Sequence, residues 1–333
     1  LDEFLGYRRL ARRFVPAGRP PAARMEHHLA HAASAFYVSP FDEAAVVTYD
    51  ARGEDTSTAV WHGAGTELRL VHRIRLPHSL GHMYAQVTRH LGFGSNDEYK
   101  VMGLAGYGTP RFRDFFGRMC VALGDGTYRM DRSYLDYYRG PTERLLSLVP
   151  PRGRGEPIGD VHRDVAASLQ ARFEDAALSL SRFARARTGA RNLCLAGGCA
   201  LNGVANGRIL REAGYDGLYV QPAADDSGLA LGAAFHVWHA VLGRPRGAVM
   251  DRADFGSWWP SCRSITGGGT PAASHHVCRV FLNAWQSTPR RRSVQSVRSR
   301  STICATRTSR ARRSSTVLRR TTSGLPPGET LTR

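Results

Sequence analysis

Three of the chain's 13 histidines, His27, His28 and His31, fall within five positions of the segment MEHHLAHAASAF. On a helix, His27 and His31 stand one turn apart on the same face, the spacing at which two imidazoles hold one metal ion. An H-x-x-x-H pair alone is more often a histidine cluster satisfied by hydrogen bonds, so a metal needs further donors. Two carboxylates qualify. Asp50 ends the apolar strand AAVVTYD, where it points from the edge of a sheet into a cleft. Asp226 starts a helix in ADDSGLALGAA, where roles as N-cap and as ligand weigh equally. Two imidazoles and two carboxylates suit iron(II), manganese or zinc.

A second constellation is the segment LCLAGGCALNGVANG, which reads as strand, Gly197-Gly198 turn and helix from about Ala200. That order aims backbone N–H groups at a guest over the turn, and an adenine nucleotide phosphate is the natural one. Paired glycines at turns are also common without a ligand. Asn202 and Asn206, four apart, add polar groups to one helix face. Lys100, in DEYKVMGLAGYG, is the only lysine beside 45 arginines, and a compact ammonium fits where a guanidinium fork does not. Gly103, Gly106 and Gly108 after it permit close backbone approach.

The elements that must carry these residues follow from periodicity. AAVVTYD, TSTAVWHG and ELRLVHRI, separated by glycine-containing turns, predict an antiparallel meander from Ala44 to about Ile74. Helical spacing follows from Ser79 to Leu91, and again where Val165, Leu169, Phe173, Ala176 and Leu180 recur. RNLCLAGG, GLYVQP and a last helix from Asp226 to about Leu242 then alternate strand with helix. Together these make an α/β domain with its site at the strand-to-helix turns.

Beyond about Arg246 that regularity stops, so we divide the chain into residues 1–246 and 247–333. The second part holds 15 arginines against Asp251, Asp254 and Glu329, so most of the net charge of +18 sits there and the body is only mildly basic. Its Ser/Thr/Arg composition builds no packed core, and it reads as a low-order basic tail, a nucleic-acid arm or a lost reading frame, the last being favoured. Missing aromatic interleaving argues against a dedicated single-strand binder. The six cysteines form no C-x-x-C pair and read as reduced thiols. No segment has the length of a membrane span or the form of a signal peptide, so a cytoplasmic location without membrane partners is expected.

Taken in order, HHLAHAASAF, SLGHMYAQVTRHLGF, EYKVMGLAGYG, HRDVAASLQ, LAGGCALNGVANGRI and QPAADDSGLALGAA resemble the amino-terminal domain of the carbamoyltransferases of antibiotic and nodulation-factor biosynthesis, over roughly residues 20–242. The resemblance implies an α/β fold of actin-like ATPase (ribonuclease H-like) type with two lobes around a cleft. It implies that carbamoyl phosphate and ATP give carbamoyl adenylate in a separate carboxy-terminal domain. The amino-terminal domain, with a bound iron ion, then passes the carbamoyl group to a hydroxyl of a small-molecule acceptor, often a sugar. Carried over, His27, His31, Asp50 and Asp226 are the metal ligands, Gly197, Gly198, Asn202 and Asn206 line the nucleotide, and Lys100 is a catalytic candidate. Homo-oligomerisation stays open.

The chain departs from that pattern. The family's opening strand should precede Leu1, and its activating domain should follow the part read as a tail. The chain is therefore expected to be truncated at both ends and catalytically incomplete. Smaller departures are Ala51, where the family usually has glycine, and Tyr99. A threonylcarbamoyl-transferase of tRNA modification shares H-x-x-x-H and GG-x-A-x-N but is not expected to carry SLGHMY or EYKVMGLAGYG. A non-catalytic basic nucleic-acid binder is the alternative from another class, and a steep loss of affinity with salt would mark it.

Overall fold

Along β1 (Glu43–Tyr49) successive side chains point to opposite faces, and both faces are apolar. Ala45, Val47 and Tyr49 enter one buried cluster, while Ala44 and Val46 enter another. A strand apolar on both sides belongs inside a covered sheet. β1 holds that central place in the computed structural model, which describes residues 25–247, 249 and 250. Before it runs α1 (His27–Phe36), and after it come β2 (Thr56–Ala64) and β3 (Glu67–Arg75), antiparallel throughout as the alternation predicts.

The chain then becomes helical in α2 (Leu80–His90), α3 (Glu98–Ala105) and α4 (Arg113–Met119). Two short hairpins follow, β4 (Cys120–Ala122) with β5 (Tyr128–Met130) and β6 (Leu135–Asp136) with β7 (Gly140–Pro141). Strands of two or three residues carry no readable periodicity, so alternation does not announce them. After α5 (Glu143–Leu146), the long α6 (Asp160–Thr188) returns the chain to the sheet. Val165, Leu169, Phe173, Ala176 and Leu180 are all buried along it, the stripe that helical spacing anticipates.

β8 (Asn192–Ala196) lies parallel beside β1, and β9 (Gly217–Val220) parallel beside β8, so the sheet order is β3-β2-β1-β8-β9. Between them stands α7 (Gly203–Glu212), and α8 (Leu229–His236) closes the alternation. α6 packs on the face shown by Val47 and Leu195, and α1 on the face shown by Val46 and Cys194. The result is an α/β domain of three layers, in which the ends of β1, β8 and β9 open on the same edge. No helix among the described residues is long and apolar enough to cross a membrane. Cys120, Cys194 and Cys199 are buried free thiols, and the other three cysteines lie outside the described residues.

α1 and α8 meet through small residues. A Cβ on Gly232 would stand 1.8 Å from the Ala30 carbonyl oxygen, so only glycine allows this approach. Gly232→Leu is therefore expected to force the two helices apart and destabilise the chain by about 1–3 kcal/mol, read from the urea midpoint. At the other end of α1, the Arg246 guanidinium donates to the carbonyls of Phe36, Ser39 and Phe41 at 2.7–2.9 Å and lies 4.3 Å from the Phe36 ring. It thereby ties the last carbonyl of α1 to those of the loop that follows it. Packing continues past the expected boundary at residue 246. Met250 is buried with Val38 and Leu231, and its amide donates to the Val38 carbonyl. From residue 251 the expected tail lies outside the described residues.

Candidate metal centre

α1 is rich in alanine on the side that packs against the sheet, where Ala32, Ala33 and Ala35 are buried. The three histidines then separate by role. His28 is fully buried, with Nδ1 3.0 Å from Thr48 Oγ1 and Nε2 3.0 Å from the Thr56 carbonyl. Burial pushes its pKa down to about 4, so it is a neutral structural residue with both nitrogens engaged. The rings of His27 and His31, 5.5 Å and 6.2 Å from that of His28, face each other, Nε2 to Nε2, at 3.1 Å.

Two carboxylates close on that pair. Asp50, the residue after β1, places Oδ2 3.2 Å from His31 Nε2 and 3.6 Å from His27 Nε2. Its Oδ1 accepts the Ala51 amide at 2.6 Å, which fixes the carboxylate plane. Asp226 places Oδ1 3.4 Å from His27 Nε2 and 3.6 Å from His31 Nε2. One ligand atom from each residue lies within 4.8 Å of all the others. In a tetrahedral site with bonds of about 2.0–2.2 Å, neighbouring donors stand about 3.3–3.6 Å apart. Five of the six spacings, at 3.1–3.6 Å, are close to the edges of such a polyhedron, and the sixth, between the two carboxylates, lies within 4.8 Å.

Asp225 is the N-cap of a 3-10 turn, Asp226–Gly228, that precedes α8; its Oδ1 accepts the Ser227 amide at 3.0 Å, and Asp226 faces the histidines. Asp226 is 60% exposed where His31 is wholly buried, so the cluster opens to solvent on the Asp226 side. Burial alone would push the His31 pKa down, but Asp226 and Asp50 outweigh it and the net shift is upward. For Asp50, burial pushes up, yet hydrogen bonds from His27 and His31 hold its carboxyl far below the usual range.

The glycine turn lies beside this cluster, at the end of β8. Gly197 has φ of +89°, and a Cβ there would stand 2.3 Å from the Tyr49 carbonyl oxygen. A Cβ on Gly198 would stand 3.0 Å from Asp50 Oδ1. Both glycines thus let the turn come up against the end of β1. The turn differs from its expected form in two respects. The Gly197 amide is not open to a guest, since it donates to the Ala224 carbonyl at 2.7 Å. A 3-10 turn, Gly198–Leu201, delays α7 to Gly203, so Asn202 is its N-cap rather than a partner of Asn206 on one face.

Both asparagines are engaged by the protein. Asn202 Oδ1 accepts the Ala205 amide at 3.0 Å, and its amide exchanges hydrogen bonds with Gln170, which in turn accepts from Tyr84 Oη. Asn206 donates to the Ala200 carbonyl at 2.7 Å. Lys100 pairs with Asp97 at 2.8 Å on the exposed side of α3. That carboxylate pushes its pKa up, so it is a cation and not a proton acceptor.

Three residues that the sequence reading passed over position the site. Ser79 caps α2 through the His82 amide at 3.0 Å while its hydroxyl lies 2.7 Å from the Ala51 carbonyl oxygen, tying that helix to the loop after Asp50. Gln221, at the end of β9, donates to the Ser34 carbonyl and so fixes the loop that leads to Asp226 against α1. Gly232 sets the distance between α1 and α8. Ser79 had a readable signal, an N-cap residue before a helical stripe. Gln221 and Gly232 had none, because their partners are backbone atoms far away in sequence.

A family model described as the carbamoyltransferase N-terminus matches residues 10–235. Nodulation protein NolO of Bradyrhizobium diazoefficiens is 39% identical over 262 residues, covering 78% of this chain and 44% of NolO. The uncharacterised protein sll1178 of Synechocystis is 44% identical over 246 residues, covering 72% of this chain and 40% of its own length. This chain thus spans about two fifths of the length of those relatives. A crystal structure of HypF from T. kodakarensis superposes with a TM-score of 0.36 at 16% identity, over 71% of this chain and 39% of that one. That likeness is too low to carry an argument.

Proposed function

The chain belongs to the carbamoyltransferase family, by that family's amino-terminal domain, and we propose that its site passes a carbamoyl group to a hydroxyl of a small-molecule acceptor such as a sugar. The donor in this reading is carbamoyl adenylate, made from carbamoyl phosphate and ATP. His27, His31, Asp50 and Asp226 hold one divalent metal, with iron preferred. The observation that carries the reading is the spacing of four donors from three separate elements at the edge where β1 and β9 end. Two carboxylates also balance the charge of a divalent ion. The sheet order, a meander followed by parallel strands, supports the finer reading of the fold as a lobe of an actin-like, ribonuclease H-like ATPase.

When bound, a divalent ion supplies Lewis acidity to a carbonyl or phosphate oxygen. The acceptor oxygen bonds to the carbamoyl carbon, the bond from that carbon to the phosphate oxygen breaks, AMP leaves with the electron pair, and the hydroxyl proton passes to solvent. The chain's own part is positional. His28 and the Ala51 amide fix the ligands on α1 and after β1. The Gly197-Gly198 turn forms the wall beside Asp50 against which the nucleotide rests, Asn202 and Asn206 holding that turn in shape. Lys100 offers a fixed positive charge for the donor phosphate.

Preformed carbamoyl adenylate, a sugar acceptor and iron(II) supplied to the full chain test this. AMP and carbamoylated sugar should appear together and vanish in Asp226→Asn. Undiminished transfer by that variant would overturn the reading. Lys100→Met should lower kcat/KM about 10-fold to 100-fold, the worth of a hydrogen bond to a charged group, with metal content unchanged. Unchanged kcat/KM would remove Lys100 from the site.

A further inference from the structure

The loop after Asp50 leads to a set of side chains that the four-residue centre does not use. The start of α2 lies against that loop. The Ser79 hydroxyl is 2.7 Å from the Ala51 carbonyl oxygen, and a Cβ on Gly81 would stand 2.6 Å from the Ala51 amide nitrogen. The next residue is His82. His82, Gln86 and Arg89 recur at i, i+4 and i+7, so they share one face of α2, a stripe about 10 Å long that starts beside Ala51.

Aromatic rings continue from that face. The Tyr137 ring lies 4.4 Å from the His82 ring, tilted by 44°, and Tyr138 follows it at 5.2 Å, edge on. His82 and Tyr137 are half-buried, and Tyr138 is exposed. The protein itself sets these rings. Gln86 meets His82 Nε2 at 3.2 Å, and Asp136 Oδ1 accepts the Tyr138 amide at 2.9 Å and the Arg139 amide at 3.2 Å.

Two arginines accompany the rings. Burial lowers the His82 pKa to about 4, and the charges of Arg89 and Arg52 push it the same way, so both guanidinium groups stand close enough to act on that ring. Neither has an ion-pair partner among the described residues. The carboxylates nearest in sequence are taken: Asp50 by His27 and His31, Asp55 by Arg75, and Asp136 Oδ2 by Arg132 at 3.0 Å. Exposed arginines alone make no site. Here they stand with an ordered, half-buried ring pair, next to the loop that carries Asp50. Aromatic faces take up the apolar face of a ring, and guanidinium forks match phosphate oxygens in pairs.

Resting on the carbamoyl transfer inferred above, we propose that this face of α2 is the acceptor subsite and that the acceptor is a sugar carrying a phosphate monoester. Its ring lies on His82 and Tyr137, its phosphate meets Arg52 and Arg89, and a ring hydroxyl turns toward the centre at Asp50.

Calorimetric titration of the full chain after dialysis against a chelator, with no carbamoyl donor present, tests the subsite apart from the transfer. Glucose 6-phosphate, glucose, inorganic phosphate and AMP are the four arms. Glucose 6-phosphate should bind at least tenfold more tightly than glucose or phosphate. Arg52→Gln and Arg89→Gln, both exposed changes, should each weaken it about 10-fold to 100-fold, the range for a hydrogen bond to a charged group, and leave glucose unchanged. Tyr137→Leu should weaken both sugars. Equal affinity for the two sugars, or no loss in the arginine variants, would overturn the proposal. An equal loss of AMP affinity in those variants would give the arginines to the donor and overturn it too. With iron(II) and carbamoyl adenylate supplied, glucose 6-phosphate should be carbamoylated in preference to glucose, and the reverse preference would overturn the acceptor class. The predicted binding pattern with neither sugar carbamoylated would instead overturn the transfer reading and leave the sugar-phosphate subsite standing.

Discussion

Replacing His31 by alanine is expected to lower affinity for a divalent metal by more than about 100-fold, beyond the 10-fold to 100-fold seen when only outer-sphere partners are lost. His31 is the donor common to the shortest contacts of the cluster, 3.1 Å to His27 and 3.2 Å to Asp50, and it is wholly buried. The neighbouring His28 cannot move into its place, because it is locked by Thr48 and the Thr56 carbonyl. Carbamoyl transfer should fall with the metal, and added iron should not restore it. His28→Gln provides the contrast, since it should lose stability but retain far more metal than His31→Ala, its loss being that of an outer-sphere partner. Metal analysis after gel filtration distinguishes the two. Equal metal content in both variants would mean that the histidine cluster is only structural.

Acid should weaken the fold through His28, and this is the second large effect. Its pKa is lowered from 6.5 to about 4 by burial, so between those values the unfolded chain binds a proton that the folded chain refuses. Stability therefore rises with pH across that window, is fully present above 6.5 and is lost as pH falls toward 4. A shift of that size corresponds to about 3 kcal/mol. His82, also held near 4 by burial, adds a slope of the same sign. His31 acts oppositely in the metal-free chain. Its pKa is raised, so its contribution is present below the ordinary histidine pKa and lost as pH rises through the folded value. Urea midpoints across this range should show a shallower slope for His28→Gln than for the unaltered chain. Identical slopes would contradict the assignment of His28 as a buried neutral residue.

Where the physics is local, the sequence made these features legible. Alternation in AAVVTYD and TSTAVWHG specified β1 and β2, since a strand's period of two leaves one register that buries Val47 and Val60 together. The i, i+4 spacing of His27 and His31 needed only helix geometry. Local pattern left Asp226 open between cap and ligand, because ADDSG offers two neighbouring carboxylates for one cap, and only the family resemblance named it a ligand. The structure gives the cap to Asp225 and turns Asp226 to the histidines. Asn202 was misplaced because a 3-10 turn after Gly197 shifts the helix start, and nothing in GGCALNG distinguishes that turn from the first turn of an α-helix. Arg246, Gln221 and Gly232 act on backbone atoms of a helix some 200 residues away, a relation that no local pattern records.

The most direct test of the central claim is anomalous diffraction at the iron edge from crystals of the full chain grown with iron(II). The account predicts one peak per chain, about 2.0–2.2 Å from His27 Nε2, His31 Nε2, Asp50 Oδ2 and Asp226 Oδ1, lost in Asp226→Asn and kept in Asp225→Asn. A peak that survives Asp226→Asn, or density in which the four side chains bond one another with no ion between them, would contradict it.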